Sequence, residues 1–241
     1  MKAMILAAGL GTRLKPLTDK KPKALIEVGG VPMLERVITK LVSQGFNYIV
    51  VNIHHLGSQI IEFLSRKDFG ARILISDERS SLLDTGGGIV KAFPLLFDGD
   101  DAPVLFHNVD ILSNADLKDL IKNHGNSSKL IVSDRQSARK LIFDSQMNLR
   151  GWHDSKNQIY KPEGLKLSPE IKEYAFSGIY VLTKNSIEEM ATLERREKFS
   201  VTDYFLNPER KEDMKGVVKS DLQLIDIGKP ATLSQAELYI G

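Results

Sequence analysis

The chain predicts an α/β fold, a mostly parallel sheet with helices on both faces and a small β-rich lobe set into it. Three observations carry this. Short apolar runs alternate with segments of helical apolar spacing through the first 133 residues. Glycine-rich or acidic breaks fall directly after the apolar runs, where the loops of a parallel sheet lie. From residue 140 to 169 the alternation stops, and short apolar pieces are separated by Asp, Ser, Asn and Gly.

The elements follow in order. Residues 3–8 form a buried first strand that breaks into Gly9-Leu10-Gly11-Thr12-Arg13. Residues 31–44 place Leu34, Val37, Ile38, Leu41 and Val42 on one helix face, and Gly45 ends it. Residues 48–53 are a continuous apolar strand. Ser58 is the expected N-cap of a helix carrying Ile60, Ile61, Phe63 and Leu64. A third strand spans 72–76. A second glycine loop, residues 83–88, then runs into a helix at 89–97. The fourth strand, 104–107, stops at Asn108-Val109-Asp110. A helix at 115–122 and a strand at 129–133 come next. The β-rich lobe is expected at about 136–175, with Phe143 and Trp152 as its core. Regular structure returns with a strand at 175–182, a helix at 185–193, and a short helix to Leu206 capped by Ser200. A strand at 222–227 carries Asp226, and a helix at 231–239 follows. No linker-like boundary interrupts the chain, so one domain over 1–241 is expected, without internal repeats.

Composition narrows the function. The formal net charge is +2 and there is no cysteine. Disulfides, thiolate catalysis and Cys-based metal sites are excluded. The charge gives no argument for a nucleic-acid or membrane partner. No apolar run approaches the roughly 20 residues of a membrane helix. With no signal-type region ahead of the first strand, a cytoplasmic protein is expected.

The glycines after the first strand let backbone N–H groups approach a phosphate, and Arg13 and Lys23 add full charges. Two familiar phosphate loops do not fit. There is no Lys-Ser or Lys-Thr closing a P-loop frame. Leu14 stands where a dinucleotide fingerprint needs its third glycine, which also opposes a nicotinamide oxidoreductase. Asp110 and Asp226 each end a strand at the same sheet edge. Magnesium is usually held by one or two carboxylates plus phosphate oxygens, so the pair suits Mg²⁺; the alternative is that each acid caps the next turn.

Other polar groups carry less. His54 and His55 lack a third ligand by spacing, and His107 reads as a packed polar residue. Ser177 is not in a Gly-x-Ser-x-Gly elbow. Residues 193–198 read as a solvated charged face. No general base accompanies a hydroxyl nucleophile, but a phosphate nucleophile needs none. Its second pKa is near ~6, and the task reduces to positioning and charge neutralisation.

The stretch LAAGLGTRLKPLTDKKPKAL, with DTGGGIVKA, Asn108-Val109-Asp110, FSGIYVL and Asp226-Ile227-Gly228, resembles the sugar-1-phosphate nucleotidyltransferases. The likeness is greatest to compact bacterial enzymes such as N-acetylmuramate-1-phosphate uridylyltransferases and mannose- or heptose-1-phosphate guanylyltransferases, which make nucleotide sugars for purposes such as the cell envelope. The resemblance implies a mixed, Rossmann-like sheet of the nucleotide-diphospho-sugar transferase type. It implies that a sugar-1-phosphate oxygen attacks the α-phosphorus of a nucleoside triphosphate and pyrophosphate leaves. By motif position, Ala7, Ala8, Gly9, Gly11 and Thr12 hold the nucleotide, Arg13 clamps the triphosphate, and Lys23 neutralises charge at the transferring phosphorus. Thr85, Gly86 and Gly87 lie by the base. Asn108, Phe176, Ser177, Gly178 and Lys161 face the sugar, and Asp110 and Asp226 bind Mg²⁺.

Two departures stand out. Val109 replaces the family's glycine beside the metal acid, so the tight backbone there must accommodate a side chain, which bears on the fit of the sugar. Tyr160-Lys161-Pro162 stands where larger relatives have Glu-Lys-Pro, so the Glu is missing. The resemblance leaves UTP with an N-acetylated hexose-1-phosphate ahead of GTP with mannose- or heptose-1-phosphate. A non-catalytic sugar-nucleotide sensor of the same fold is the reading from another class. A monomer or weak homodimer is expected.

Overall fold

The computed structural model describes residues 1–123, 125, 127–165, 169–228 and 230–240. β1 (Lys2–Leu6) is followed by 3-10 turns at Thr12–Leu14, Leu17–Asp19 and Lys23–Leu25. A hairpin of β2 (Glu27–Val28) and β3 (Val31–Pro32) leads to α1 (Met33–Ser43). The alternation continues with β4 (Tyr48–Ile53), α2 (Gly57–Ser65), β5 (Arg72–Asp77), α3 (Asp84–Leu96) and β6 (Val104–Asn108). Then come β7 (Ile111–Ser113), α4 (Leu117–Lys122), β8 (Ser128–Ser133), β9 (Arg139–Phe143), β10 (Leu149–Asp154) and β11 (Ile159–Lys161). β12 (Lys172–Leu182), α5 (Lys184–Leu193), α6 (Val201–Phe205), β13 (Met214–Val218), β14 (Leu224–Asp226) and α7 (Pro230–Ile240) complete the order.

The sheet runs β5-β4-β1-β6-β12, with β8 and β13 beyond β12 on one branch and β9-β10-β11 on the other. β5, β4, β1 and β6 are parallel, and β12 is antiparallel to β6. The chain winds outward from β1 through β4 to β5, then returns to β6 on the other side of β1. A crevice opens where the winding reverses, beyond the carboxyl ends of β1 and β6.

β1 is buried on both faces, which is why it reads as an unbroken apolar run. Alternate strand residues feed two cores. Ala3, Ile5, Leu105 and Ile179 pack with α1, α2 and α4. Met4, Leu6, Phe106 and Tyr180 pack with α3, α5 and α6.

β12 joins the β-rich part to the sheet. Residues 179–182 pair with β6, while residues 172–174 pair with β9. The antiparallel pieces expected between 140 and 169 are therefore an extension of the main sheet through one long strand. Phe143 is fully buried there and Trp152 half-buried.

Several local readings change. Ala7 and Ala8 have left the sheet, since β1 ends at Leu6. Ser58 is not the cap of α2. The N-cap is Leu56, in the left-handed region, and the Ser58 hydroxyl accepts from Arg79 at 3.0 Å. The second glycine loop is not a loop: Gly86, Gly87 and Gly88 are buried inside the first turns of α3. A Cβ on Gly86 would collide with the Phe199 ring, and one on Gly87 with the Glu197 carbonyl. These glycines admit the 197–199 segment, which offsets their cost of about 1 kcal/mol each within a helix. β13 went unread, because its parallel partner β8 lies 86 residues earlier.

Candidate active site

A cavity of about 380 Å³ lies beyond β1 and β6. Ala7, Ala8, Gly9 and Leu10 form one wall, and Asn108, Val109 and Asp110 another. Asp84 and Thr85, at the start of α3, face them, with Lys23 and Lys198 at its edge.

The loop carrying the cations is braced from inside. Gly11 is left-handed at φ 63°, and a Cβ there would stand 2.7 Å from Thr18 Cγ2 and 3.1 Å from Lys23 Cβ. The Thr18 hydroxyl donates to the Gly11 carbonyl at 2.9 Å. The His55 ring is hydrogen-bonded to the Thr18 carbonyl at 3.0 Å, and His54 to the Glu78 carbonyl at 2.6 Å, so both histidines tie loops together. This packing presents Lys23 to Asp110, and the two form a short ion pair with both side chains mostly buried.

Asp226 reaches the same place by a different route. β14 pairs antiparallel with β7, setting Asp226 opposite Ile111, and Ile227 N–H donates to the Asp110 carbonyl at 3.0 Å. The Asp226 carboxylate accepts from Gly228 N–H at 2.7 Å. A Cβ on Gly228 would lie 2.6 Å from Arg13 Nη2 and 2.7 Å from Asp226 Oδ1, so the guanidinium and the carboxylate share the space that glycine leaves. Among the described residues no cluster of three metal-ligating side chains exists. Two carboxylates from adjacent strands suit a hard cation that completes its shell with phosphate oxygens and water.

The other sequence-derived residues divide. Ala7, Ala8, Gly9, Thr85 and Asn108 line the cavity; Gly11, Thr12 and Arg13 stand on the exposed loop outside it. Gly86 and Gly87 do not line it, and both amides donate to the Phe199 carbonyl, at 2.9 and 3.3 Å. Gly178 adjoins the cavity through Asn108, whose Nδ2 would lie 2.7 Å from a Cβ there. Phe176 packs on Tyr180 and Phe205. Ser177 is buried, its hydroxyl accepting from Ile179 N–H at 3.1 Å. Lys161 lies elsewhere, over the Trp152 ring at 5.7 Å. The fold accommodates Val109, which is buried in the core with Ile111, Ala115 and Ile179. His107 is buried as read, and burial lowers its pKa to about 4.

Three functional positions escaped the sequence reading. Asn52, in β4, accepts from Ala7 N–H at 2.7 Å and donates to Glu78 Oε1 at 2.7 Å. The second Glu78 oxygen accepts from Leu83 N–H at 3.4 Å. Glu78 has no exposed surface; burial raises its pKa, against the donors from Asn52 and Leu83. This strut links the loop after β1 to the start of α3 through the interior. Its available signal is a polar residue inside an apolar strand. Lys198, read as part of a solvated charge run, lines the cavity.

The family model for nucleotidyl transferases matches residues 2–240. The chain is 34% identical over 188 residues to the N-acetylmuramate alpha-1-phosphate uridylyltransferase of Caulobacter vibrioides, 74% of each chain. It is 44% identical over 117 residues to the enzyme of the same name from Neisseria meningitidis serogroup B, covering 48% of this chain and 49% of that one. The crystal structure of HddC from Yersinia pseudotuberculosis complexed with GMP-PN matches with a TM-score of 0.79 at 24% identity, over 100% of this chain and 99% of that one, a likeness of fold. The winding of the sheet, the loop after β1 and the match along nearly the whole sequence agree: this chain belongs to the sugar-1-phosphate nucleotidyltransferases of the nucleotidyl transferase family.

Proposed function

We propose that this enzyme transfers UMP from UTP to an N-acetylated hexose-1-phosphate, with N-acetylmuramate-1-phosphate the first candidate, releasing pyrophosphate. The observation that carries the reading is the Lys23–Asp110 pair at the edge of a cavity walled by the loop after β1. The names of the relatives support the base and sugar.

A phosphate oxygen of the sugar-1-phosphate attacks the α-phosphorus in line. The bond from that phosphorus to the bridging oxygen of the β-phosphate breaks, and the electron pair leaves with pyrophosphate. Amides of residues 7–12 receive the triphosphate, and Arg13 holds the departing pyrophosphate. Lys23 exchanges its contact with Asp110 for oxygens of the two reacting phosphates, lowering their repulsion. Thr85, with Gly86 and Gly87 behind it, stands by the base; Asn108, the 176–178 backbone and Lys161 stand by the sugar. Asp110 and Asp226 are the residues that would hold Mg²⁺, which supplies charge neutralisation on the phosphates when bound.

The test is pyrophosphate release from UTP, GTP and the other common triphosphates with a panel of sugar-1-phosphates, before and after chelation. UTP with N-acetylmuramate-1-phosphate should react fastest, and Mg²⁺ should restore chelated enzyme. Faster reaction of GTP with mannose- or heptose-1-phosphate would replace the substrate assignment. Calorimetric binding of a nucleotide sugar without turnover of any pair would replace the catalytic reading with a sensing one. We also infer one domain, a cytoplasmic setting and a monomer or weak dimer. Light scattering at micromolar concentration checks the last. No described helix is long and apolar enough to cross a membrane.

A further inference from the structure

A second cavity, of about 350 Å³, opens between the β-rich strands and α6. Leu141 and Trp152 wall one side, Thr202 and Leu206 the other, and Phe176 lies between. It shares Lys161, Asp203 and Leu206 with a wider hollow of about 620 Å³. Three cations reach the smaller cavity, Arg135, Arg139 and Lys161, against one acid, Asp203.

These charges differ in what already holds them. Arg139 is largely exposed and lies 3.3 Å from the Asp154 carboxylate. Lys161 rests over Trp152. The Asp203 carboxylate accepts from Ser200 N–H at 3.3 Å and from Arg196 at 3.1 Å. Arg135 is half-buried. Its Nη2 donates to the Phe176 carbonyl at 2.8 Å, which fixes the plane of the guanidinium, while its Nε is buried without a partner. A buried donor without an acceptor is costly, and a guanidinium on the wall of a cavity donates to a carboxylate placed within it.

The cavity adjoins the reacting end. Phe176 and Gly178 sit on one short stretch of β12, and Gly178 is packed against Asn108 of the first cavity. Burial lowers the Arg135 pKa, and the charge of Asp226 works against that burial, so the two residues feel each other.

We propose that Arg135 selects the sugar by binding an acidic ring substituent, a carboxylate carried on an N-acetylated hexose-1-phosphate. Arg139 and Lys161 supply a screened positive field, and Leu141, Trp152 and Leu206 offer apolar surface to the short alkyl arm that carries the carboxylate. This rests on the nucleotidyl-transfer reading. The competing role for Arg135, binding the 1-phosphate common to every candidate sugar, makes the opposite prediction.

N-acetylmuramate-1-phosphate and N-acetylglucosamine-1-phosphate differ by one lactyl carboxylate and isolate the effect. With saturating UTP, wild type should favour the acidic sugar. Arg135→Met should lose roughly 10- to 100-fold more kcat/KM with the acidic sugar than with the neutral one, and Arg135→Lys should recover part of the difference. Equal losses with both sugars overturn the inference. So does a wild type without preference for the acid, a result that stands even if the variants fail to fold. If wild type releases pyrophosphate from no pair, the transfer reading fails, and calorimetry of the two sugar phosphates decides the inference separately. Tighter binding of the acid by wild type than by Arg135→Met keeps it, and equal binding discards it.

Discussion

The two cavities are built in opposite ways. At the β1–β6 end the charges are already matched: Lys23 with Asp110, Asp226 with Gly228 N–H, and the Ala7 amide with Asn52. That end rests on parallel strands buried on both faces and on a strut through the interior. At the β-rich end Arg135 keeps a bare Nε, Lys161 is exposed over an aromatic ring, and every residue of the edge strand β11 is exposed. The first end is preorganised for a group that every substrate of the reaction carries. The second is left open, where substrates differ. On the proposed function, the chemistry falls on the rigid part of the sheet and selectivity on the ribbon joined to it by β12.

The largest expected effect falls at the matched end. Asp110→Ala removes the partner of a mostly buried lysine and one of the two carboxylates we assign to the phosphates. Removal of a preorganised charge contact costs roughly 10²- to 10³-fold in kcat. Turnover should fall by at least that much while circular dichroism and the melting cooperativity persist. Retention of activity within about fivefold of wild type would remove Asp110 from the site and erase the contrast between the two ends.

His107 tests how dry the matched end is. It lies at the end of β6, fully buried, with Nδ1 hydrogen-bonded to the Asn108 carbonyl at 2.8 Å and Nε2 unpartnered. Burial holds its pKa at about 4, against 6.5 for the exposed group. Between those values the unfolded chain binds a proton that the native chain does not, so stability falls as pH drops through the window. The whole window is worth about 3 kcal/mol. Urea unfolding at pH 7 and pH 4.5 should show this loss, and His107→Phe should lessen the difference between the two. An unchanged pH slope in the variant would place water beside the ring.

Gly88→Ala probes the strut. The added methyl would stand 2.5 Å from Glu78 Oε1 and 2.9 Å from Asn52 Nδ2. Overpacking of this kind costs about 1–3 kcal/mol. The displaced Asn52 would release the Ala7 amide, so the KM for UTP should rise more than kcat falls. A lower unfolding midpoint with an unaltered KM would confine the strut to stability.

Legibility in the sequence follows the same division. That the first loop and Asp110 lie together was readable, because glycines and charges directly after apolar runs mark the ligand edge of a parallel sheet; Asp226 comes to Asp110 instead through the antiparallel β14–β7 pair, outside that sheet. Asn52 and Glu78 were not readable. Asn52 becomes meaningful only when the parallel register sets it beside Leu6, next to the amide it binds. Gly86 to Gly88 read as a loop and fold as helix, because local spacing does not show what stands against each glycine: Phe199 and the Glu197 carbonyl, more than 100 residues away, at the first two, and Glu78 with Asn52 at the third. Lys198 was hidden in a charged run that the path between α5 and α6 brings back to the cavity. The Arg135 cavity joins β-rich strands, β12 and α6, and no stretch of sequence contains that juxtaposition.

The smallest expected effect concerns Val109, which stands where the family has a glycine. Val109 lines the cavity, yet the residue is only 4% exposed and belongs to the core that α1 and α4 help to build. Val109→Ala removes two buried methyl groups, a loss of about 1–2 kcal/mol in stability. The ratio of kcat/KM between the acidic and neutral sugars should stay within about twofold, because Val109 lines the first cavity and is not among the residues of the Arg135 cavity. Chemical denaturation and the two-sugar assay measure the two quantities on the same variant. A shift of tenfold or more in the ratio would assign part of the selectivity to the matched end, and the division of labour between the two cavities would then fail. A loss of stability with the ratio intact means that the family glycine can be replaced because the core beneath the β6–β7 turn accommodates the added side chain.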